Sequence, residues 1–408
     1  MATNQSLEQT VDEIFDTLVK SRFIEMFGDI HNPKYGLCPI DSISVEILAG
    51  GDKPSNISDT VVDDCIYPVF ANATENKGLM GYTNTYRVGS KAVTISARGA
   101  IIGYCEIREA CFTPVVRLIA IVPSSDMNLN FLKYMLEQLD LKPSGSGQPQ
   151  LIVPDLRRYM IIKPPINLQD EFESFVQLID KSKVICKQMV SKFDDLVKSR
   201  FIEMFGDPIR NEKRLPSKLL KDCCSKITNG TTPKGGSQVY VDSGILFLRS
   251  QNVWRNRFDM EDVAYIDQKT HNSMKESSLK HKDILITKTG RFNTDNSSLG
   301  RAALYLGDDD AANINGHVYL VRIDKEVIPE FVLQILISDS YRDYIRQVCV
   351  GGIDKRQINK EHVEKFPIII PDVNEQKSFV EFCKQVDKSK SAFINFVANR
   401  LKYDSGDC

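Results

Sequence analysis

No stretch of this 408-residue chain is apolar for the roughly 18 residues that a bilayer span requires. Its start, MATNQSLEQTVDEIF, is polar and acidic instead of basic and then apolar, so neither a membrane protein nor a secretory leader is expected and the predicted location is cytoplasmic. Ten cysteines occur without a C-x-x-C pair or regular spacing. That pattern reads as reduced thiols and excludes a disulfide framework or a zinc ribbon. The five histidines, His31, His271, His281, His317 and His362, show no ligand spacing with each other or with cysteine. A glycine-rich strand-to-helix cofactor loop and a Walker A pattern are both missing. Positive charge is not in surplus either: 52 basic against 54 acidic residues leave a net charge of −2, so bulk charge lends no support to nucleic-acid binding. Acidic helices can nevertheless mask basic loops.

What the chain does contain is a repeat. Asp16 to Asp29, DTLVKSRFIEMFGD, returns 178 residues later as Asp194 to Asp207, DDLVKSRFIEMFGD, with thirteen of fourteen residues identical. A self-match of that quality means two copies of one unit. A second match, at an offset of 207, places Gln150 on Gln357, Pro164 on Pro371, Gln169 on Gln376 and Phe172 on Phe379. The offsets differ by 29 residues, so the segment between the matched parts is longer in the second copy.

Leu7 to Phe27 is amphipathic at a helical period and stops at Gly28. From Ile30 to about Val122 the pattern becomes short Val-, Ile- and Tyr-rich runs broken by Gly, Pro and Asn, which predicts strands and turns, followed by a short helix over Asn128 to Leu141. A long helix then begins at Leu168. Its heptad positions Leu168, Phe172, Phe175, Ile179, Met189, Phe193 and Leu196 predict a coiled-coil seam on a helix about 55 Å long. A second strand-rich segment follows, with a helix near Glu330 to Val348. The closing helix carries the seam over as Phe379, Phe382, Val386, Phe393 and Phe396. The expected fold is α+β: two mainly β domains separated by two long antiparallel helices in a pseudo-two-fold repeat. The expected boundaries are 1–28 for an N-terminal helix, 29–150 for the first β domain, 151–206 for the central helical region, 207–357 for the second β domain and 358–408 for the closing helix.

Catalytic constellations are hard to find. Pro371-Asp372 with Glu375-Gln376-Lys377 superficially offers the two halves of a metal-dependent nuclease. Carboxylates that share Mg²⁺ must converge from separate strands, whereas these lie side by side at a helix start. Asn32-Pro33-Lys34-Tyr35 lacks the second proline of an amino-methyltransferase motif and reads as a turn. The loops of the β domains are more informative. Lys53, Asn72, Lys77, Tyr82, Asn84 and Arg98 cluster at turns of the first, with Tyr86 nearby. In the second, Lys234, Arg249, Gln251, Asn252, Arg255, Lys288, Arg291, Asn293, Arg301, Lys355 and Arg356 do the same, alongside Trp254 and Arg257. Arg and Lys pair with guanine, Asn and Gln with adenine, and basic or hydroxyl side chains with phosphate, so these are the side-chain types that read DNA.

On these residues the chain resembles the specificity subunits of type I restriction-modification systems. The resemblance spans essentially the full length. It rests on the duplicated LVKSRFIEMFGD helix ends, the helix starts Pro164 to Gln169 and Pro371 to Gln376, and two unequal domains in the target-recognition positions. Gly230-Thr231-Thr232-Pro233 resembles the opening of a recognition domain and Asp283 to Gly290 its central strand. The run Ala92 to Gly99 stands in that strand's place in the first domain. There, Gly51-Asp52-Lys53-Pro54 departs from the Gly-x-Thr-Pro form. The resemblance implies that each β domain recognises one half of a split DNA target while the helices fix the gap. It further implies no catalysis and no cofactor or metal in this chain. Two adenine methyltransferase subunits carrying S-adenosylmethionine and two restriction subunits using ATP and Mg²⁺ would be the partners, besides double-stranded DNA. Lys181, Lys183, Lys187, Lys198 and Glu203 then become candidates for methyltransferase contact. Two other classes stay open at this stage: a stand-alone nuclease or methyltransferase fused to recognition domains, and a coiled-coil scaffold with no DNA role.

Overall fold

Alternating apolar residues in Ala92–Ser96 and Leu118–Pro123 bury both faces of one sheet, and the first half of the chain is built on it. In the computed structural model these are the inner strands of a four-stranded antiparallel sheet ordered Ser44–Ala49, Leu118–Pro123, Ala92–Ser96, Cys105–Arg108. Val93, Ile95, Ile119 and Ile121 point to one side, where they pack with Phe131 and Met135. Ala92, Ala120 and Val122 point to the other, against Phe112 and Phe70. A period of two with both faces apolar is what a sheet covered on both sides demands. The second cover is a three-stranded sheet, Leu79–Thr83, Tyr67–Phe70 and Thr113–Pro114, the last pair parallel.

The structure describes residues 7–29, 31–142, 149–291, 297–324, 326–352 and 355–404, with side chains from 11 to 401 within those ranges. The chain divides into two compact units. One comprises the described residues of 15–182 and 400–408, the other those of 1–14 and 183–399. Mixed helix and sheet content makes each an α and β structure.

The second unit repeats the first sheet strand for strand: Cys224–Asn229, Val318–Ile323, Ile284–Thr287, Ala302–Leu304. Ile284 and Ile286 pack with Phe331 and Ile335, while Leu285 and Leu320 face a separate cluster with Leu248 and Ile314. Its second sheet has four strands, Tyr240–Val241, Ala264–Ile266, Ile245–Leu248 and Ala312–Ile314. The hairpin Val253–Trp254 with Arg257–Phe258 is a further addition.

Backbone bonds align the two units residue by residue. Gly50 N–H donates to Leu118 O (2.7 Å) and Gly51 N–H to Pro114 O (3.2 Å), while Gly230 N–H donates to Val318 O (2.8 Å) and Thr231 N–H to Ile314 O (3.1 Å). A Cβ on Gly50 would lie 2.0 Å from Val115 O, and one on Gly230 2.0 Å from Asn315 O, so only glycine fits either position. Gly50, not Gly51, is therefore the counterpart of Gly230, which corrects the motif register read from sequence by one residue.

Helices α1 (Leu7–Phe27), α2 (Leu129–Glu137), α3 (Ile166–Phe205), α4 (Pro329–Leu336), α5 (Asp339–Val348) and α6 (Val373–Asp404) complete the frame. The expected single helix near 330–348 is two, because Ser338 is extended and its hydroxyl caps α5 by accepting from Tyr341 N–H (3.2 Å). In the first unit Phe23, Phe27, Phe131 and Phe172 meet at 5.1–6.2 Å between ring centroids, mostly edge to face. In the second, Phe201, Phe205, Phe331 and Phe379 form the same group at 5.1–6.3 Å.

Each Pro-x-x-x-x-Gln helix start is a buried polar lock. The Gln169 amide donates to Pro164 O (2.8 Å) and Asp126 O (3.2 Å) and accepts from Asn128 N–H (2.9 Å). Gln376 donates to Pro371 O (2.9 Å) and accepts from Ile328 N–H (3.1 Å). Both side chains are fully buried, and these bonds are what makes that tolerable.

Within the second unit α6 runs antiparallel to the later part of α3: Lys390 meets Asp194 (2.6 Å), Arg200 lies 6.0 Å over the Phe382 ring, and Phe379 packs on Phe201. The buried stripe departs from the expected seam. Phe172, Ile179, Phe379 and Val386 are buried, and Leu168, Phe175, Met189, Phe193, Phe382 and Phe393 are half-buried. Leu196 and Phe396, however, are 48% and 67% exposed, and neither belongs to the stripe. Val190, Ile394, Ala398 and Leu401 are buried instead. A helix at 3.6 residues per turn drifts by about 20° per heptad from a strict seven-residue repeat, so a stripe counted in heptads leaves the contact face after a few turns.

Candidate nucleic-acid interface

Both central strands end in the same hydrogen-bonded frame. In the first unit Ala97 N–H donates to Arg117 O (2.9 Å) and Leu151 N–H donates to Ala97 O (2.8 Å). In the second, Lys288 N–H donates to His317 O (2.8 Å) and Ile358 N–H donates to Lys288 O (3.0 Å). Arg98 bridges Gln150 as Thr289 pairs with Gln357. The frame is shared, but Ala97, Arg98 and Arg117 stand where the other unit has Lys288, Thr289 and His317.

In the first unit this tip borders a surface hollow of about 440 Å³, lined by Asn72, Arg98, Arg117, Pro149 and the turn Gly99–Ile101. Asn72 donates to Arg98 O (3.0 Å), and its Oδ1 has no hydrogen-bond partner among the described residues. A sequestered acceptor of this kind gains by meeting a donor. Arg117 has φ +73°. A bulky side chain in that region is strained, and such strain collects at binding sites. Arg117 is not marked by the sequence alone. Its signal, in retrospect, is the turn between two apolar strands, and nothing local distinguishes it. Lys77 shares the turn with Asn72, is exposed, and reaches Glu106 at 3.7 Å. Lys53 and Asn84 are exposed, and Tyr82 is half-buried with its backbone paired to Ser58, so these three lie on other segments than the hollow's lining.

In the second unit the predicted residues separate into two groups. Arg249, Gln251 and Asn252 converge on Asp262: Arg249 pairs with its carboxylate (3.0 Å), Gln251 donates to it (2.6 Å), and Asn252 donates to Asp262 O (2.8 Å) and Asp259 O (3.0 Å). Asn252 also accepts from Arg249 N–H (2.9 Å) and is 1% exposed. It is a loop-locking residue and not a DNA contact, because its donors and acceptor are used and water cannot reach it. Lys288 holds its ammonium 5.6 Å over the Tyr319 ring and is half-buried. Lys234 and Lys355 are exposed and Arg356 is half-buried; Asn293 lies outside the described residues.

The other group surrounds Trp254. Arg301 Cζ stands 3.8 Å and Arg257 Cζ 4.6 Å from the ring centroid, both within cation–π range. Arg301 also donates to Ser297 O (3.0 Å). Burial, then the nearby Arg257 and Arg342 guanidiniums, brings the Arg301 guanidinium down to about 10. Burial and then Arg342 likewise lower Arg255, against the opposing carboxylate of Asp339 at 3.3 Å. Arg291, Arg342 and Arg346 border a narrow cleft with Ser297. Arg342 and Arg346 had not been singled out from sequence; their spacing of four on a helix was the available signal.

The candidates for partner contact divide as well. Lys183 and Lys187 are engaged inside the chain, pairing with Asp12 of α1 at 3.2 and 2.9 Å, so they are not free outward-facing cations. Lys181 is exposed, Lys198 is exposed beside Asp195 (3.8 Å), and Glu203 pairs with Arg200 (2.8 Å). Among the described residues no cluster of three or more His, Cys, Asp or Glu is placed to hold a metal, and no helix is long and apolar enough to cross a membrane.

The model of the type I restriction modification DNA specificity domain matches residues 45–188 and 217–403. The chain belongs to this family. A Mycoplasma pneumoniae protein named as a type I specificity subunit is 33% identical over 146 residues, 34% of this chain and 40% of that protein. A second from the same organism, named likewise, is 31% identical over 137 residues, 34% of this chain and 41% of its own length. The matched stretch thus spans about two fifths of these relatives. A chain solved for complex assembly and conformational transition of the type I R-M system covers 92% of this chain and 96% of its own length, with a TM-score of 0.51 and 14% identity. At that identity the likeness is one of fold.

Proposed function

We propose that this specificity-family chain is the DNA-recognition subunit of a type I restriction-modification complex. In this reading residues 29–150 and 207–357 are target-recognition domains, each reading one half of a bipartite sequence. Residues 1–28, 151–206 and 358–408 form two antiparallel helices, a coiled-coil spacer that sets the gap between half-sites in a pseudo-two-fold arrangement. The observation that supports the reading is the pair of equivalent strand ends: one backbone frame carrying different side chains, Arg98 and Arg117 in one unit and Lys288 in the other, of the types that contact DNA. The chain is not itself an enzyme. It directs adenine methylation by two methyltransferase subunits that bind S-adenosylmethionine, and restriction by two ATP- and Mg²⁺-dependent subunits. Lys181, Lys198 and Glu203 are the remaining candidates for methyltransferase contact, and the setting is the cytoplasm.

Genome-wide mapping of adenine methylation in cells with and without the protein tests this. The expected result is one interrupted two-part motif that vanishes with the gene. Methylation at an uninterrupted motif, or no difference between the strains, would end the proposal.

A further inference from the structure

The proposed function does not say what the arginines around Trp254 do. Arg257 and Arg301 stack on Trp254 and Arg255 follows it in the hairpin. Arg342 of the helix α5 lies near enough to Arg301 and Arg255 to add to the lowering that burial causes in both, and it borders the cleft at Ser297 with Arg291 and Arg346. Two carboxylates of α5 pair with members of the group, Asp339 with Arg255 at 3.3 Å and Asp343 with Arg346 at 3.5 Å. The assembly sits in a chain whose net charge is −2, so it is a local concentration of positive charge and not a reflection of composition. Guanidiniums held near one another repel, and partial burial strengthens that repulsion. The depression of Arg301 to about 10 by burial and by its neighbours Arg257 and Arg342 agrees with this. A base edge offers only partial charges to offset such repulsion, whereas a phosphodiester carries a full negative charge and accepts bidentate bonds from a guanidinium. Arg342 and Arg346 stand four apart on one helix face, so neighbouring guanidiniums are presented together.

We infer that this cluster is a phosphate anchor: it grips the DNA backbone beside the second half-site and fixes the register in which Lys288 meets the bases. The inference rests on the DNA-recognition reading and adds a division of labour to it, backbone contact at Trp254 and base contact at the central strand end. It also supplies its own reporter, because Trp254 is the single tryptophan of the chain.

The test uses the full chain with its methyltransferase partner. Incorporating 5-hydroxytryptophan into this chain alone lets Trp254 be excited apart from tryptophans in the partner. Duplex DNA is titrated between 50 and 200 mM salt, with binding followed by anisotropy and the site by Trp254 emission. The emission is expected to change on binding, for target and unrelated duplexes alike. Arg342→Gln and Arg346→Gln should each flatten the slope of log K against log salt by about 0.9 and weaken all sequences by a similar factor. Methylation should keep the same two-part motif. Should Arg342→Gln not fold, the exposed Arg346→Gln carries the test alone. Binding by anisotropy without an emission change overturns the anchor and leaves DNA recognition standing, as does an unaltered salt slope or an altered half-site. If no duplex binds at any salt, the DNA-recognition reading itself falls.

Discussion

The two units share one sheet order, one aromatic group and one hydrogen-bonded strand end, and they differ in what that strand end displays. The first sets the half-buried Arg98 and the exposed Arg117 around a hollow with Asn72. The second replaces them with Thr289 and His317, sets Lys288 over Tyr319, and adds the Trp254 hairpin with its arginines. The lesson is a separation of duties. Backbone bonds and the close-packed glycines Gly50 and Gly230 hold the frame, so side chains at the tip can change without altering the fold.

The largest expected effect tests whether the frames are equivalent. Phe172 and Phe379, 1% and 0% exposed, occupy matching places in the two aromatic groups. Each should lose about 3 to 5 kcal/mol on substitution by alanine, through lost burial and a residual cavity. Thermal or denaturant melts of Phe172→Ala and Phe379→Ala should therefore agree, and a near-neutral result for one alone would break the comparison. Next come the glutamine locks. Gln169→Leu strands Asn128 N–H and Gln376→Leu strands Ile328 N–H, each at a cost of about 1 to 3 kcal/mol. Glutamate would be a poorer replacement than leucine if the donors to Pro164 O and Pro371 O dominate, which the same melts resolve.

The difference between the tips is tested on DNA. Lys288→Ala should relax only the half-site read by the second unit, and Arg98→Ala or Arg117→Ala only the other, by about 1 to 3 kcal/mol of base discrimination. Methylation mapping in each variant distinguishes this from loss of both half-sites, which would count against independent reading.

The smallest effect contrasts two ion pairs of the helices. Burial disfavours the charged form of Asp12, but hydrogen bonds from Lys187 and Lys183 outweigh it and hold the carboxyl below its ordinary 3.8. That stability is present at neutral pH and is lost as pH falls below 3.8 through the lowered value. Burial likewise opposes the charge on Lys390, but bonds to Asp194 and Asp387 outweigh it and raise the ammonium above 10.5. Its contribution is complete below 10.5 and disappears as pH rises through the raised value. Asp12→Asn should thus blunt the acid limb of a melting profile and Lys390→Met the alkaline limb. The solvent-screened Asp12 pair contributes no more than about 1 kcal/mol. Exchange of the two limbs would reverse the assignment.

Much of the frame was legible because it is repetitive. LVKSRFIEMFGD occurs twice, the strand runs alternate, and Pro-x-x-x-x-Gln marks both helix starts. The candidate site was less legible residue by residue. Asn252 looked like an adenine reader and is consumed by its own loop. Lys183 and Lys187 looked free and hold Asp12. Leu196 and Phe396 kept a heptad count yet face solvent. Composition cannot separate a polar residue that serves its loop from one that serves a ligand, because both need the same atoms.

By itself the sequence determined the duplication, the kinds of element and their order, since these follow from local periodicity and self-similarity. Only the tertiary structure decided that Gly50 matches Gly230, that Arg117 joins Arg98, and that Arg301 stacks on Trp254 with Arg342 nearby. Those pairings depend on distances closed by chain segments far apart in sequence, and no local preference encodes them.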